Sequence, residues 1–193
     1  MFSFFKRDKQ ENKFKKPYYS FRSVNADRVL DICQEGENQG NLIIWDGYGG
    51  DNQKFTVKQK NQDFYIKCKK DGQYLTVEGP QNGARVFGAP KNYQENQRFK
   101  VVEKEEGSKE YYIYTYCGKV LDVCEGKKSN GTLIIQWEFN GEENQLWNFC
   151  DPNNITSESS EIDWSLQIKH IFIFFQPHIL TYQFIISICL SKK

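Results

Sequence analysis

KVLDVCEGKKSNGTLIIQWEFNGEENQLWNFC, running from Lys119 to Cys150, decides the fold, because two earlier stretches repeat its plan. RVLDICQEGENQGNLIIWDGYGGDNQKFTV spans Arg28 to Val57, and QYLTVEGPQNGARVFGAPKNYQENQRFKV spans Gln73 to Val101. Leu30, Leu75 and Leu121 lie 45 and 46 residues apart, and Gln53, Gln97 and Gln145 lie 44 and 48 apart. Each Gln follows an Asn (Asn52, Asn96, Asn144) and precedes an aromatic by two residues: Phe55, Phe99 and Trp147. A fixed period of this length marks a fold built from repeated supersecondary units.

Ahead of each block stands an aromatic run: YYSFRSV at 18–24, DFYIKCKK at 63–70 and EYYIYTYC at 110–117. VLDIC and VLDVC alternate apolar and polar residues with the period of a half-buried strand. Val, Ile, Tyr and Phe fill the runs while Gly, Asn and Asp collect at the joints, which is strand-and-turn chemistry. No stretch within 17–150 has sustained helical periodicity. Each repeat supplies about four short strands, so about twelve are expected. One repeat alone cannot bury its apolar face, whereas three around an axis share a core and leave few free strand edges. The expected class is therefore all-β, a β-trefoil of three repeats at about 17–62, 63–108 and 109–150.

The repeats resemble the ricin-type β-trefoil lectins, whose marker is Gln-x-Trp near the end of each repeat. Here it reads Gln53-Lys54-Phe55, Gln97-Arg98-Phe99 and Gln145-Leu146-Trp147, and the last copy alone keeps the tryptophan. The resemblance covers about residues 17–150. It implies a structural role for Gln53, Phe55, Gln97, Phe99, Gln145 and Trp147, with the aromatics filling the core and the glutamines bracing the loop beside a pocket. It also implies a shallow carbohydrate site. In such a site a carboxylate accepts from sugar hydroxyls, an amide donates and accepts nearby, and an aromatic face covers the C–H side of the ring. At the matching positions the first repeat has Asp31, Trp45 and Asn52, and the third has Asp122, Trp137 and Asn144. The second has Thr76 for the Asp and Ala89 or Gly88 for the aromatic, and retains only Asn96, so no site is expected there.

Two departures from the family pattern stand out. Gly40 to Gln53 spans 13 steps where Gly83 to Gln97 and Gly131 to Gln145 span 14, so one residue is missing near Trp45 and its side chain is expected to point differently. Ile135 occupies a position that is often polar in the family, two before the aromatic. The competing reading of the same residues makes Asp31 and Asp122 outward residues of half-buried strands and Trp45 and Trp137 surface-packed aromatics. The function expected from the resemblance is a non-catalytic, lectin-like module with a glycan partner, such as a galactose-like sugar. The alternative is a sugar-independent structural or protein-interaction trefoil.

Charge and chemistry narrow the classes further. Lys and Arg total 26 against 25 acids, and residues 17–150 hold 17 against 19, which leaves no basic footprint for nucleic acid. His170 and His178 are the two histidines and both lie beyond residue 150, so a Ser–His or Cys–His mechanism within the repeats has no base. No zinc-ligand spacing and no phosphate-binding glycine loop is present, so neither metal nor cofactor is expected and the chain reads as a non-enzyme. In secreted relatives the Cys of LDxC pairs with a second Cys beyond the stacking aromatic. Cys33 and Cys124 fit the first position, but Asp46-Gly47 and Glu138-Phe139 stand at the second. Free thiols, with Cys33 and Cys124 as small buried apolar residues, are therefore expected, as is a cytoplasmic location given no apolar leader after the first charges.

Both ends differ from the repeats. Residues 1–16 carry six Lys/Arg against two acids and read as a flexible basic arm, either solvated or touching an anionic membrane surface. Residues 151–193 read as a polar linker followed by an Ile/Phe-rich tail. Ile171 to Leu190 is an uncharged stretch of 20 residues, just long enough to span a bilayer, though Gln176, Pro177, His178, Gln183 and Ser187 interrupt it. Membrane association through this tail is the alternative to a cytoplasmic protein.

Overall fold

The computed structural model describes residues 14–155. Twelve strands follow one another: β1 (Ser20–Ser23), β2 (Val29–Ile32), β3 (Leu42–Trp45), β4 (Phe55–Lys60), β5 (Asp63–Cys68), β6 (Tyr74–Val77), β7 (Val86–Ala89), β8 (Phe99–Glu103), β9 (Glu110–Thr115), β10 (Val120–Val123), β11 (Ile134–Trp137) and β12 (Trp147–Cys150). The expected all-β trefoil of about twelve strands is what the chain forms.

Six of the strands close into a barrel. β1 pairs with β12, β12 with β9, β9 with β8, β8 with β5 and β5 with β4, all antiparallel. A bridge between Tyr19 and Phe55, with reciprocal backbone bonds of 2.8 Å, shuts the ring between β4 and the residue before β1. Closure leaves the barrel no free edge. The other six strands form three hairpins, β2–β3, β6–β7 and β10–β11.

The hairpins join cyclically through backbone bonds. Ile44 N–H donates to Thr132 O, Gln136 N–H to Ala84 O, and Gly88 N–H to Gly40 O, each at 2.9 Å. Each contact therefore runs from one hairpin to the turn before the last strand of another. Gly40, Gly83 and Gly131 occupy those turns with φ of +82°, +80° and +84°, a conformation that other residues adopt at a cost. A Cβ on Gly83 would lie 3.8 Å from the Trp137 ring, and one on Gly131 would lie 3.7 Å from the Trp45 ring. Each tryptophan thus stands beside the turn of another repeat.

Threefold equivalence governs the core. Leu30, Leu75 and Leu121 form one set of buried equivalent residues, Phe21, Ile66 and Ile113 another, and Phe55, Phe99 and Trp147 a third, all in one cluster. The Gln-x-aromatic marker thus supplies core residues, as the resemblance implied. Gln136, which stands opposite Leu121 as Ile44 stands opposite Leu30, is polar and fully buried. Its amide donates to Gly79 O at 2.6 Å and to Gln81 O at 2.9 Å, so its burial carries no unpaired N–H.

The folded body begins and ends outside the bounds read from sequence. Phe14, assigned to the flexible arm, is buried against Tyr19, Phe64 and Phe149, with ring centroids 4.7–5.5 Å away. Lys16, assigned to the same arm, pairs with Asp151 at 2.7 Å. Ile155, assigned to the linker, is also buried, and its carbonyl accepts from Arg22. Arm and linker were read from polarity alone, which two apolar anchors in polar surroundings do not alter. The Ile/Phe-rich tail lies outside the described residues. Among the described residues no helix is long and apolar enough to cross a membrane.

Candidate functional site

Asp31, Thr76 and Asp122 sit at equivalent positions in β2, β6 and β10, opposite Ile43, Phe87 and Ile135. The final residue of the facing strand in each hairpin is Trp45, Ala89 or Trp137, opposite Val29, Tyr74 and Val120. Trp45 therefore shares the register of Trp137, contrary to the displacement expected from the missing residue. Gly40 precedes the first residue of β3 by two, whereas Gly131 precedes that of β11 by three. The turn absorbs the deletion before the strand begins, because slipping the register would turn buried residues outward. Exposures agree: Trp45 is 40% and Trp137 42% accessible.

Both carboxylates are buried, at 4% exposure each, so neither is an outward strand residue. Burial pushes Asp122 above the usual carboxylate range, offset in part by hydrogen bonds from Gln145 and Asn144. Burial likewise raises Asp31 against bonds from Gln53, Asn52 and Tyr48. A buried carboxylate is retained only where donors meet it.

The invariant glutamine supplies the first donor in a common frame. Gln53 Nε2 donates to Asp31 Oδ2 and to Asp46 O, both at 2.9 Å. Gln97 Nε2 donates to Thr76 Oγ1 and Pro90 O at 2.9 Å each. Gln145 Nε2 donates to Asp122 Oδ2 at 2.8 Å and to Glu138 O at 2.9 Å. The glutamine Oε1 accepts the backbone N–H of Tyr48, Asn92 or Asn140 at 3.0, 3.0 and 2.9 Å. One side chain therefore ties the central strand, the end of the hairpin and the following loop together. Short 3-10 turns, Asp51–Gln53, Glu95–Gln97 and Glu143–Gln145, aim it inward and set Asn52, Asn96 and Asn144 beside it. Those asparagines donate to Ile32 O, Val77 O and Val123 O.

Around the third repeat this frame bounds an open cavity of about 830 Å³. Asp122, Trp137, Asn140 and Asn144 line it from the third repeat, and Gly83 and Arg85 from the second. The sequence-predicted trio Asp122, Trp137 and Asn144 is therefore brought together. Asn140 and Arg85 were not singled out from sequence. Counting three residues on from Trp137 identifies Asn140, whereas Arg85 arrives through a bridge to Ile135 that no sequence signal announces. Glu125, Glu142 and Glu143 also reach the rim, so carboxylates outnumber the single arginine. Arg85 is itself paired with Glu78 at 2.6 Å.

In the first repeat Asp31 and Asn52 also meet, through Asn52 Nδ2 to Asp31 Oδ1 at 2.8 Å, with Trp45 at the strand end. Tyr48 is an addition that sequence reading passed over. Its hydroxyl lies 2.9 Å from Asn52 Oδ1 and 3.3 Å from Asp31 Oδ2. In the second repeat Thr76 bonds Tyr74 O and Gln97, leaving no carboxylate and no aromatic at the strand end.

The five cysteines among the described residues are free. Cys33 and Cys124 are half-buried rather than buried, because their side chains lie just past the strand ends where the chain turns outward. No group of three metal-ligating side chains occurs among the described residues.

Comparison with known proteins fixes the class. The model of the ricin-type beta-trefoil lectin domain-like family matches three times, at residues 6–89, 51–137 and 95–170, and the chain belongs to that family. A curated relative is the main hemagglutinin component type C of Clostridium botulinum C phage, 21% identical over 127 residues. That match takes in 64% of this chain and 43% of the relative, so the chain spans less than half the length of the curated proteins it matches. Among solved structures, the designed threefold-symmetric protein ThreeFoil is 27% identical with a TM-score of 0.65, covering 70% of this chain and 99% of that one. The ricin B-like lectin of Macrolepiota procera, solved with lactose, has a TM-score of 0.64 at 21% identity over 73% of this chain and 100% of its own.

Proposed function

We propose that this protein is a non-catalytic carbohydrate-binding module whose open site lies in the third repeat. One observation carries this reading: a buried carboxylate acceptor, Asp122, lines a cavity together with a 42%-exposed tryptophan, Trp137. Polar groups fixed at the base and an apolar face at the side are what a pyranose needs, since its hydroxyls require directional acceptors and its C–H face an apolar cover. Gln145 donates to Asp122 Oδ2 at 2.8 Å and Asn144 adds a second bond, which leaves further lone pairs of the carboxylate to accept from a ligand. Asn144 and Asn140 add amides that both donate and accept.

Membership of a lectin-domain family, and relatives described as a hemagglutinin and a lactose-bound lectin, support the same reading. The first repeat carries Asp31, Trp45 and Asn52 in the same register, as a second potential site. Galactose-terminated, neutral glycans are the first class to test. The acidic rim of Glu125, Glu142 and Glu143 disfavours anionic sugars through like-charge repulsion. We place the protein in a reducing compartment, on the mismatch of its cysteines with the family's disulfide positions.

A glycan array probed with the full chain tests the reading. Binding to at least one neutral glycan class, abolished in Asp122→Asn, is expected. Silence across the array at high protein loading favours the sugar-independent trefoil instead.

A further inference from the structure

Position three beyond the last hairpin residue (Trp45, Ala89, Trp137) is Tyr48, Asn92 or Asn140 in the successive repeats. All three backbone N–H groups meet the same glutamine oxygen, so the main chain is held alike and the side chain alone differs. Asn140 lines the open cavity of the third repeat. Tyr48 reaches further, and its hydroxyl lands between Asn52 Oδ1 and Asp31 Oδ2. Asp31 also accepts from Asn52 Nδ2 at 2.8 Å and Gln53 Nε2 at 2.9 Å, so the phenol is the donor that its counterpart Asp122 lacks.

A second feature fits the ring itself. Gly50 has φ −64°, which any residue adopts, so its backbone does not call for glycine. A Cβ there would lie 2.4 Å from Cε2 of Tyr48 and 2.6 Å from Oδ1 of Asn52, both far inside van der Waals contact. The third repeat has Glu142 at this position, five beyond Trp137 as Gly50 is five beyond Trp45. Gly50 thus makes the space in which the Tyr48 ring lies, and the pair distinguishes the first repeat from the third.

We propose that Tyr48, seated over Gly50, caps the first-repeat site with its own hydroxyl in the place of a sugar hydroxyl, so that the wild-type chain binds glycan at the third repeat alone. This rests on the carbohydrate-binding reading of the Asp–Trp–Asn trio. A ligand at Asp31 must displace the phenol, and its apparent affinity falls in proportion to the uncapped fraction. The ring is 61% exposed and can swing into solvent without unpacking the core. Tyr48 is therefore a selectivity residue: a glycan that makes enough contacts to displace it gains a second site, and a weaker one does not.

Four full-length chains on an array of α- and β-galactosides, glucosides, mannosides and N-acetylhexosamines test this: wild type, Asp122→Asn, Asp122→Asn with Tyr48→Asn, and Asp122→Asn with Tyr48→Ala. Tyr48→Ala removes the ring without adding an amide, whereas Gly50→Ala would press on Asn52 as well as on the phenol. Wild type is expected to bind, Asp122→Asn to lose binding, and both double variants to regain it by about tenfold to a hundredfold through the first site. If Asp122→Asn binds as wild type does, the first site is open already and the cap is refuted. If wild type binds and neither double variant recovers, the cap is again refuted while the third-repeat reading stands. If wild type is silent and Tyr48→Asn brings binding, the cap stands and the third-repeat reading falls. Silence from all four refutes both.

Discussion

At the scale of single residues, the proposed third site gives Asp122 and Trp137 different parts. Asp122→Asn keeps the shape, but the carboxamide must turn its oxygen to Gln145 Nε2, which points an N–H into the cavity where an acceptor stood. A charge-assisted hydrogen bond is typically worth about 1.5–3 kcal/mol, so sugar affinity should fall about tenfold to a hundredfold in calorimetry. Trp137→Ala removes the apolar face and should cost a similar factor, with the melting temperature little changed because the ring is an exposed strand end. Acid gives an independent signature. Asp122 is raised by burial, so the folded chain takes up a proton at higher pH than the unfolded chain. This contribution to stability therefore grows as pH falls through the raised value and levels off below the unfolded one. Sugar binding moves the other way, because hydroxyl donors favour the ionised form. Affinity should weaken on mild acidification while the Asp122 contribution to the fold increases, and titrations of binding and of melting at matched pH would reveal the divergence. Parallel loss of both would mean that acid acts through unfolding.

At the scale of elements, each Gln side chain is a brace between a central strand, a hairpin end and a loop. Removing one leaves a backbone carbonyl, a side-chain oxygen and an N–H without that partner, at about 1–3 kcal/mol per unsatisfied group. Gln97→Ala and Gln145→Ala should both lower the denaturation midpoint, yet Gln145→Ala alone should weaken glycan binding, since Gln97 braces a repeat that has Thr76 in place of the carboxylate. Trp147 fills the position of Phe55 and Phe99, so Trp147→Phe should be mild and Trp147→Ala costly, about 3–5 kcal/mol by urea denaturation. The repeats were legible because this bracing needs the same residue types at the same spacing three times. That Asp122, Trp137 and Asn144 lie together was legible for the same reason. Tyr48 was passed over because counting from Gly40 hides its equivalence with Asn140, which the equal eight-residue spacing of Trp45 to Gln53 and Trp137 to Gln145 reveals. Arg85 was hidden for a different reason: it comes from another repeat, and cyclic hairpin contacts leave no period in the sequence.

At the scale of the whole molecule, a closed barrel capped by three mutually bonded hairpins makes the repeats interdependent. Asp122 and Trp137 face a cavity completed by Gly83 and Arg85, so the third site requires the second repeat although that repeat has no trio of its own. The folded body also runs past the repeats at both ends, through Phe14 and Ile155, which polarity patterns did not reveal. The mismatch with the family's disulfide positions leads to the expectation that thiol titration of denatured, unreduced protein finds all six cysteines free. Protected pairs would reverse the compartment assignment. The central claim is a sugar against Trp137, and the most direct measurement follows the indole N–H resonances of the four tryptophans during titration with a glycan bound on the array. The Trp137 signal, assigned by its disappearance in Trp137→Phe, should move in a saturable way, while the buried Trp147 signal stays in place and Asp122→Asn suppresses the movement. Saturable binding with an unmoved Trp137 signal would place the ligand elsewhere and contradict the site.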